Sequence, residues 1–168
     1  FLLTVNALND LPTITAIADL AINEDANTGA IAFTVGDVET TVASLTLSAA
    51  SSNLTLVPVA NIVFGGSGAS RTVTVTPVVN QFGVANITVT VTDGNSGTAN
   101  EVFQLTVNAQ NDLPTITAIA DLAINEDANT GAIAFTVGDV ETAVASLTLS
   151  AASSNLTLVP VANIVFGG

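Results

Sequence analysis

The chain has 168 residues, no Cys, no His and one base, Arg71, against fourteen acids. The absence of thiol and imidazole excludes disulfides, zinc sites of the usual Cys/His kind and Cys- or His-based catalysis. A net charge of −13 repels phosphate, which argues against nucleic acid or anionic membrane as a partner and suits cations.

Aromatic residues are 4% of the chain, all of them Phe, so a core must be built from Val, Ile, Leu and Ala. Charged residues are 9%, far below the usual quarter. No run of 18 apolar residues offers a membrane-spanning helix in this segment. With neither His nor Cys, only carboxylate pairs remain for acid–base work. They stand in turns beside Asn and Gly, without aromatic walls, and the chain reads as a non-enzyme.

The sequence repeats. Asn9–Thr40 recurs letter for letter at Asn111–Thr142, an offset of 102. Phe1–Gly66 and Phe103–Gly168 differ only at Leu2/Gln104, Leu8/Gln110 and Thr41/Ala143. Self-similarity at a fixed period marks a tandem array. We expect residues 1–8 to be the final strand of a preceding repeat, 9–110 a complete repeat and 111–168 the N-terminal part of the next.

In chain order, Phe1–Val5 leads into Asn6–Pro12 (NALNDLP), where Asn, Asp and Pro mark a short, stiff break between repeats. Asn108–Pro114 (NAQNDLP) is the equivalent. Thr13–Ile22 is an extended candidate, and Asn23–Gly29 a polar turn. Ala30–Val35 alternates as a strand, and Gly36–Thr41 is a second acidic turn. Val42–Ser48 alternates again. Leu54–Val59 and Ile62–Phe64 read as short extended pieces, the first an edge strand because it contains Pro58. Gly65–Ser70 is a Gly/Ser loop. Arg71–Thr76 and Ala85–Thr92 are the cleanest strands, Val and Ile alternating with Thr. Asp93–Gly97 is a turn, and Glu101–Val107 closes the repeat. No segment has a helical apolar period. About seven short strands in about 100 residues predict an all-β, immunoglobulin-like β-sandwich. Repeats joined end to end would form a rod.

The order of motifs resembles the cadherin-like repeats of large bacterial surface proteins, close to VCBS-type adhesin repeats. The carried motifs are the linker NAQNDLP, the Glu turn INEDANTG, the acidic turn GDVET and the Asp-Gly turn VTDGNSG. The resemblance implies calcium at the junctions and a role in adhesion. The departures are Asp37-Val38-Glu39 in place of Asp-x-Asp, Asn108 in place of the linker's first Asp, and an Asn111-Asp112 pair one residue closer to the Pro. No match to the Asp-Arg-Glu motif exists. These departures imply fewer or weaker ions.

Calcium takes six to eight oxygen ligands. One candidate metal site combines Glu24 and Asp25 with linker Asn108, Asn111 and Asp112 and with Asp139 and Glu141. The same logic groups Asn6, Asn9, Asp10, Asp37, Glu39 and Asp93 at the other end of the repeat. Converging carboxylates repel by about 1 to 4 kcal/mol per close pair, and a divalent cation reverses the sign. The bland alternative is solvated turn residues, since Asp, Asn and Gly favour turns for backbone reasons alone. Asp19, Asp121 and Glu101 read as exposed strand residues.

Thr72–Thr76 and Thr88–Thr92 both read TVTVT, which would place Thr on one face of two neighbouring strands. That is an ordinary solvent-facing surface or, being nearly uncharged, a surface for lateral self-association. Asn53, Asn86 and Asn155 begin Asn-x-Thr triplets expected by chance in such a composition. The reading is an extracellular or cell-surface structural repeat of an adhesin or fibre. Its partners are adjacent repeats, and calcium stiffens the rod. The alternatives are a glycan- or protein-binding module, or a self-assembling filament subunit completed by strands from a neighbouring chain.

Overall fold

The computed structural model describes residues 1–6 and 8–167. Ala7 of the first linker and Gly168 of the closing NIVFGG lie outside the described residues. The chain divides into two compact units, Phe1–Gln110 and Asn111–Gly168.

The first unit is a two-sheet sandwich. One sheet has the order β1-β3-β6-β5 and the other β2-β8-β7-β4, with β1 Thr13–Ile14, β2 Leu20–Asn23, β3 Ile31–Gly36, β4 Thr46–Ser51, β5 Ile62–Ser67, β6 Ser70–Val75, β7 Gly83–Thr92 and β8 Thr98–Asn108. All neighbours are antiparallel except β2, which runs parallel to β8 in the register Leu20↔Leu105 to Asn23↔Asn108. Four strands per sheet, with the first strand divided between the sheets, make this an immunoglobulin-like sandwich. Among the described residues the only helical turns are short 3-10 pieces.

Alternation explains the core. Val73 and Val75 of β6 and Ile87, Val89 and Val91 of β7 are fully buried, as are Phe103 and Leu105 of β8. Phe33 and Val35 of β3 and Leu45, just ahead of β4, join the same cluster. Period-2 patterning puts each set on the inner face of its sheet.

That alternation fixes which way a residue points, not which strand lies beside it. The Thr rows of β6 and β7 are therefore not adjacent. β6 pairs with β3 and β5, and β7 with β4 and β8, in opposite sheets. Residues 76–82 carry the chain across, with Pro77 buried and Asn80 in the left-handed region. The two rows face outward on opposite sides of the sandwich.

Other expectations change as well. Val42–Ser48 is not one strand: the chain turns at 42–44, where the Ser44 amide donates to the Thr41 carbonyl, and the strand runs Thr46–Ser51. Thr13–Ile22 is two strands, because the chain changes sheet at residues 15–19. There the Glu101 carboxylate accepts from the Ile17 amide at 3.2 Å and the Asp19 carboxylate accepts from the Gln104 amide at 2.7 Å. Those two acids are fasteners, not idle surface groups. Leu54–Val59 is no edge strand. Asn53 accepts from the Leu56 amide through its side chain and from the Val57 amide through its carbonyl. Pro58 then opens a 3-10 turn at Val59–Asn61, and Leu56 and Val57 plug the core. Gly65–Ser70 is a tight hairpin, with β5 and β6 paired as far as Ser67↔Ser70.

The second unit carries nearly the same text as residues 9–66 but little of the same sheet. It contains β9 Thr115–Ile116 paired with β10 Val137–Gly138, and 3-10 turns at Val144–Ser146 and Val161–Asn163. Likewise, Phe1–Asn6 forms no strand, although Phe103–Val107 of nearly the same text lies in the middle of β8.

Candidate cation-binding poles

Three segments meet where the chain enters the sandwich. In the turn after β3, Asp37 Oδ1 accepts from the amides of Glu39 at 3.0 Å and Thr40 at 2.6 Å. Between β7 and β8, Asp93 Oδ1 accepts from Asn95 at 2.8 Å and Gly97 at 2.7 Å. Asp does this readily because its short carboxylate reaches its own backbone two residues on. The linker then ties the turns together. Asn9 Nδ2 donates to Asp93 Oδ2 at 2.9 Å, and the Asp10 amide donates to Glu39 Oε2 at 3.0 Å. Asn95 Nδ2 closes on Asn9 Oδ1. Asn9, Asp10, Asp37, Glu39 and Asp93 thus share one pole of the first unit.

At the opposite pole, Glu24 follows β2 and is 4% exposed. Its amide donates to the Asn108 carbonyl at 2.9 Å and its Oε1 accepts from the Gln110 amide at 2.6 Å. Asp25, at φ 63°, accepts from the Asn80 amide at 3.0 Å. Glu24 therefore holds the outgoing linker at Asn108 and Gln110, and Asp25 beside it holds the loop between β6 and β7 at Asn80.

The second unit repeats the first pole. The Asp112 amide donates to Glu141 Oε2 at 3.0 Å, and Asp139 Oδ1 accepts from Glu141 at 3.1 Å and Thr142 at 2.7 Å. Asn111 Nδ2 donates to the Asp112 carbonyl at 2.7 Å. The Asp139 and Asn111 contacts lie within one to three residues, and the Asp112–Glu141 bond spans 29.

In these contacts the acids fasten backbone. Among the described residues no three or more acidic side chains form a group ready to hold a metal ion. Buried carboxylate oxygens without a hydrogen bond do remain at Glu24 Oε2, Asp37 Oδ2 and Glu141 Oε1. Such an oxygen costs free energy until a partner is found. The sets are all oxygen, the chemistry of a hard cation. Sequence reasoning missed the fastening role of Glu101 and Asp19. Nothing in their local text marks them, since their partners are backbone amides 84 or 85 residues away.

The titration of Asp93 is clearly displaced. The Asn9 hydrogen bond holds its carboxyl below the usual range. Burial works against this, and the Gly97 and Asn95 amides add to it. A lowered folded-state value means the ionised form stabilises the fold above the unfolded value of about 3.9, and this is lost as pH falls through the lower folded value. Urea unfolding from about pH 5 to about pH 2 should therefore show a loss of stability that Asp93→Asn removes and Asn9→Ala reduces. Identical pH slopes in all three proteins would contradict it.

No family model and no curated protein matches this chain. Solved structures that resemble it include the titin Z1Z2 domains in complex with telethonin, at 14% identity and TM-score 0.45, over 67% of this chain and 55% of that one. The titin M3 domain matches at 18% identity and TM-score 0.42, over 57% and 95%. Protocadherin gamma B7 extracellular cadherin domains 1–4 match at 16% identity and TM-score 0.40, over 79% and 34%. Among the described residues no helix is long and apolar enough to cross a membrane.

Proposed function

We propose that this chain is a load-bearing spacer of an extracellular adhesin or fibre, with calcium bound at the poles of its sandwich. The observation that carries this reading is the attachment of the linkers. Asn9-Asp10 is fastened at one end of the first unit and Asn108–Gln110 at the other. β8, which joins the ends, has 11 residues and extends about 37 Å. β2 and β8 run parallel, so pulling on the two linkers shears their hydrogen bonds together instead of unzipping them one at a time.

Calcium fits the donor chemistry. Glu24, Asp25 and Asn108 would serve one pole, and Asn9, Asp10, Asp37, Glu39 and Asp93 the other. Asn111, Asp112, Asp139 and Glu141 would serve in the second unit. The unbonded oxygens of Glu24, Asp37 and Glu141 support this reading, and since no acid trio is assembled, amide and backbone oxygens must supply further ligands. When bound, the ion neutralises mutual repulsion and couples linker to sandwich.

The test is thermal unfolding with calcium and then with chelator. At 100 times the dissociation constant, calcium adds about 2.7 kcal/mol, a rise of about 10 °C or more for a domain this size. Glu24→Gln and Asp37→Asn should each reduce the rise. Equal midpoints with calcium and chelator would leave the acids as fasteners only.

A further inference from the structure

The sandwich of the first unit has edge strands β1, β5, β2 and β4. Short length, charge and local twist are the usual guards of such an edge. β1 has two residues. β2 has four and is bracketed in the chain by Asp19 and Glu24. β5 contains Gly65 and Gly66, the second at φ 81°. β4, Thr46–Ser51, has none of these guards: it is six residues long, without Gly, Pro or charge. It lies in a stretch from Glu39 to Asp93 whose only charged residue in between is Arg71. β4 pairs with β7 on one side only. Just past it, the Ser52 amide donates to the Asn86 carbonyl at 3.0 Å. The alternation of an antiparallel ladder therefore turns the main-chain groups of Thr46, Ser48 and Ala50 toward β7 as well. Those of Leu47, Ala49 and Ser51 point the other way, and among the described residues no main-chain hydrogen bond reaches them from outside the sheet.

We propose that β4 is a lateral docking edge for β4 of a second copy of this chain, paired antiparallel about Ala49. The strand is its own complement. A two-fold axis at Ala49 sets Ala49 against its own copy, Leu47 against Ser51 and Ser48 against Ala50, an isologous contact. The outward groups of Leu47, Ala49 and Ser51 then meet in about six main-chain hydrogen bonds. Each four-stranded sheet continues into the other, the same addition by which an extended segment joins a free sheet edge. Ser48, Ala49, Ala50 and Ser51 are small, so the two strands close without collision. Charge selects the occupant. A chain at −13 repels its own copies wherever acids face each other. In the first unit the acids stand in the linker and turns at the poles, and at Asp19 and Glu101 where the chain changes sheet. Along β4 two copies meet with no charge between them. A cationic partner finds no carboxylate on this strand, and a glycan finds no aromatic ring to stack on. The contact uses none of the polar acids, so it holds whether or not they bind calcium.

The experiment is sedimentation velocity of the full chain from about 1 μM to about 1 mM, a range that covers weak and moderate dimers. The chain passes from monomer to dimer within it. Two double variants then test the register. Ser48 and Ala50 are exposed on the outer face, so both variants keep the sandwich, which equal thermal midpoints confirm. Ser48→Lys with Ala50→Lys sets like charges across the join and weakens the dimer at least about tenfold. It does so although it lowers the net negative charge of the chain, which by itself would favour association. Ser48→Lys with Ala50→Glu sets opposite charges at the same two places and restores the dimer. A chain that stays monomeric throughout overturns the proposal. So does a dimer of undiminished affinity in the two-lysine variant, which would place the contact on another surface. Equal loss in both variants overturns the pairing about Ala49.

Discussion

Phe103→Ala should lower the unfolding free energy of the first unit by about 3–5 kcal/mol, whereas Phe1→Ala should change it by less than about 0.5 kcal/mol. Both residues begin nearly the same text, FQLTV and FLLTV. Phe103 sits on β8, flanked by β2 and β7, opposite Ile87 in register and with no solvent exposure. Removing its ring leaves a cavity between two packed sheets that the surrounding strands cannot close. Phe1 is fully exposed, so its ring has nothing to lose. A domain of this kind holds about 5–15 kcal/mol in all, so the first substitution removes a large share. Urea unfolding of both variants provides the comparison. A Phe103→Ala loss below about 1 kcal/mol would mean that β8 is not central to the core.

Gly66→Ala should cost about 3 kcal/mol or more, the sum of left-handed backbone strain and a collision with main chain. Gly66 has φ +81°, and a Cβ there would stand 2.4 Å from the Ser70 carbonyl oxygen and 2.9 Å from Arg71 Cα. Both atoms belong to the paired strand β6 and cannot swing aside as a side chain would. Gly29→Ala is the matched control. Its φ is +65° but a Cβ there meets nothing within 4 Å, so it should cost only the strain, about 1–2 kcal/mol. Equal losses at the two positions, read from thermal unfolding, would show that the β5–β6 hairpin relaxes to admit a side chain.

What the sequence discloses about this molecule divides by the range of the interaction. The Val/Ile alternation of β6, β7 and β8 marks strands with one buried face, and their number and spacing mark a sandwich. Alternation is silent about neighbours, which is why the Thr rows of β6 and β7 lie in opposite sheets despite identical patterns. The linker and turn acids show the same division. Asp37 with Glu39 and Thr40 is a local arrangement set by its own few residues. It recurs in the second unit at Asp139 with Glu141 and Thr142. The Asn53 turn recurs at Asn155, whose side chain accepts from the Leu158 amide. The sheet does not recur. Strands β2, β3, β4 and β5 exist where β6, β7 and β8 flank them, and among the described residues the same text 102 positions later forms only β9 and β10. Pairing partners far along the chain decide that, and a window of local text carries no record of them. Glu101 and Asp19, whose partners are likewise distant, were invisible for the same reason.

The stable element of this chain is thus the sandwich completed by residues 67–110, and amide hydrogen exchange of the unmodified chain tests that most directly. Peptides running from Phe33 past Thr41 and from Phe135 past Ala143 differ in mass, so the two copies can be followed in one sample. Slow exchange in the first and fast exchange in the second is the predicted result, because Ile31–Thr34 is paired with β6 and among the described residues its copy at 133–136 has no such partner strand. Equal protection of both copies would contradict it.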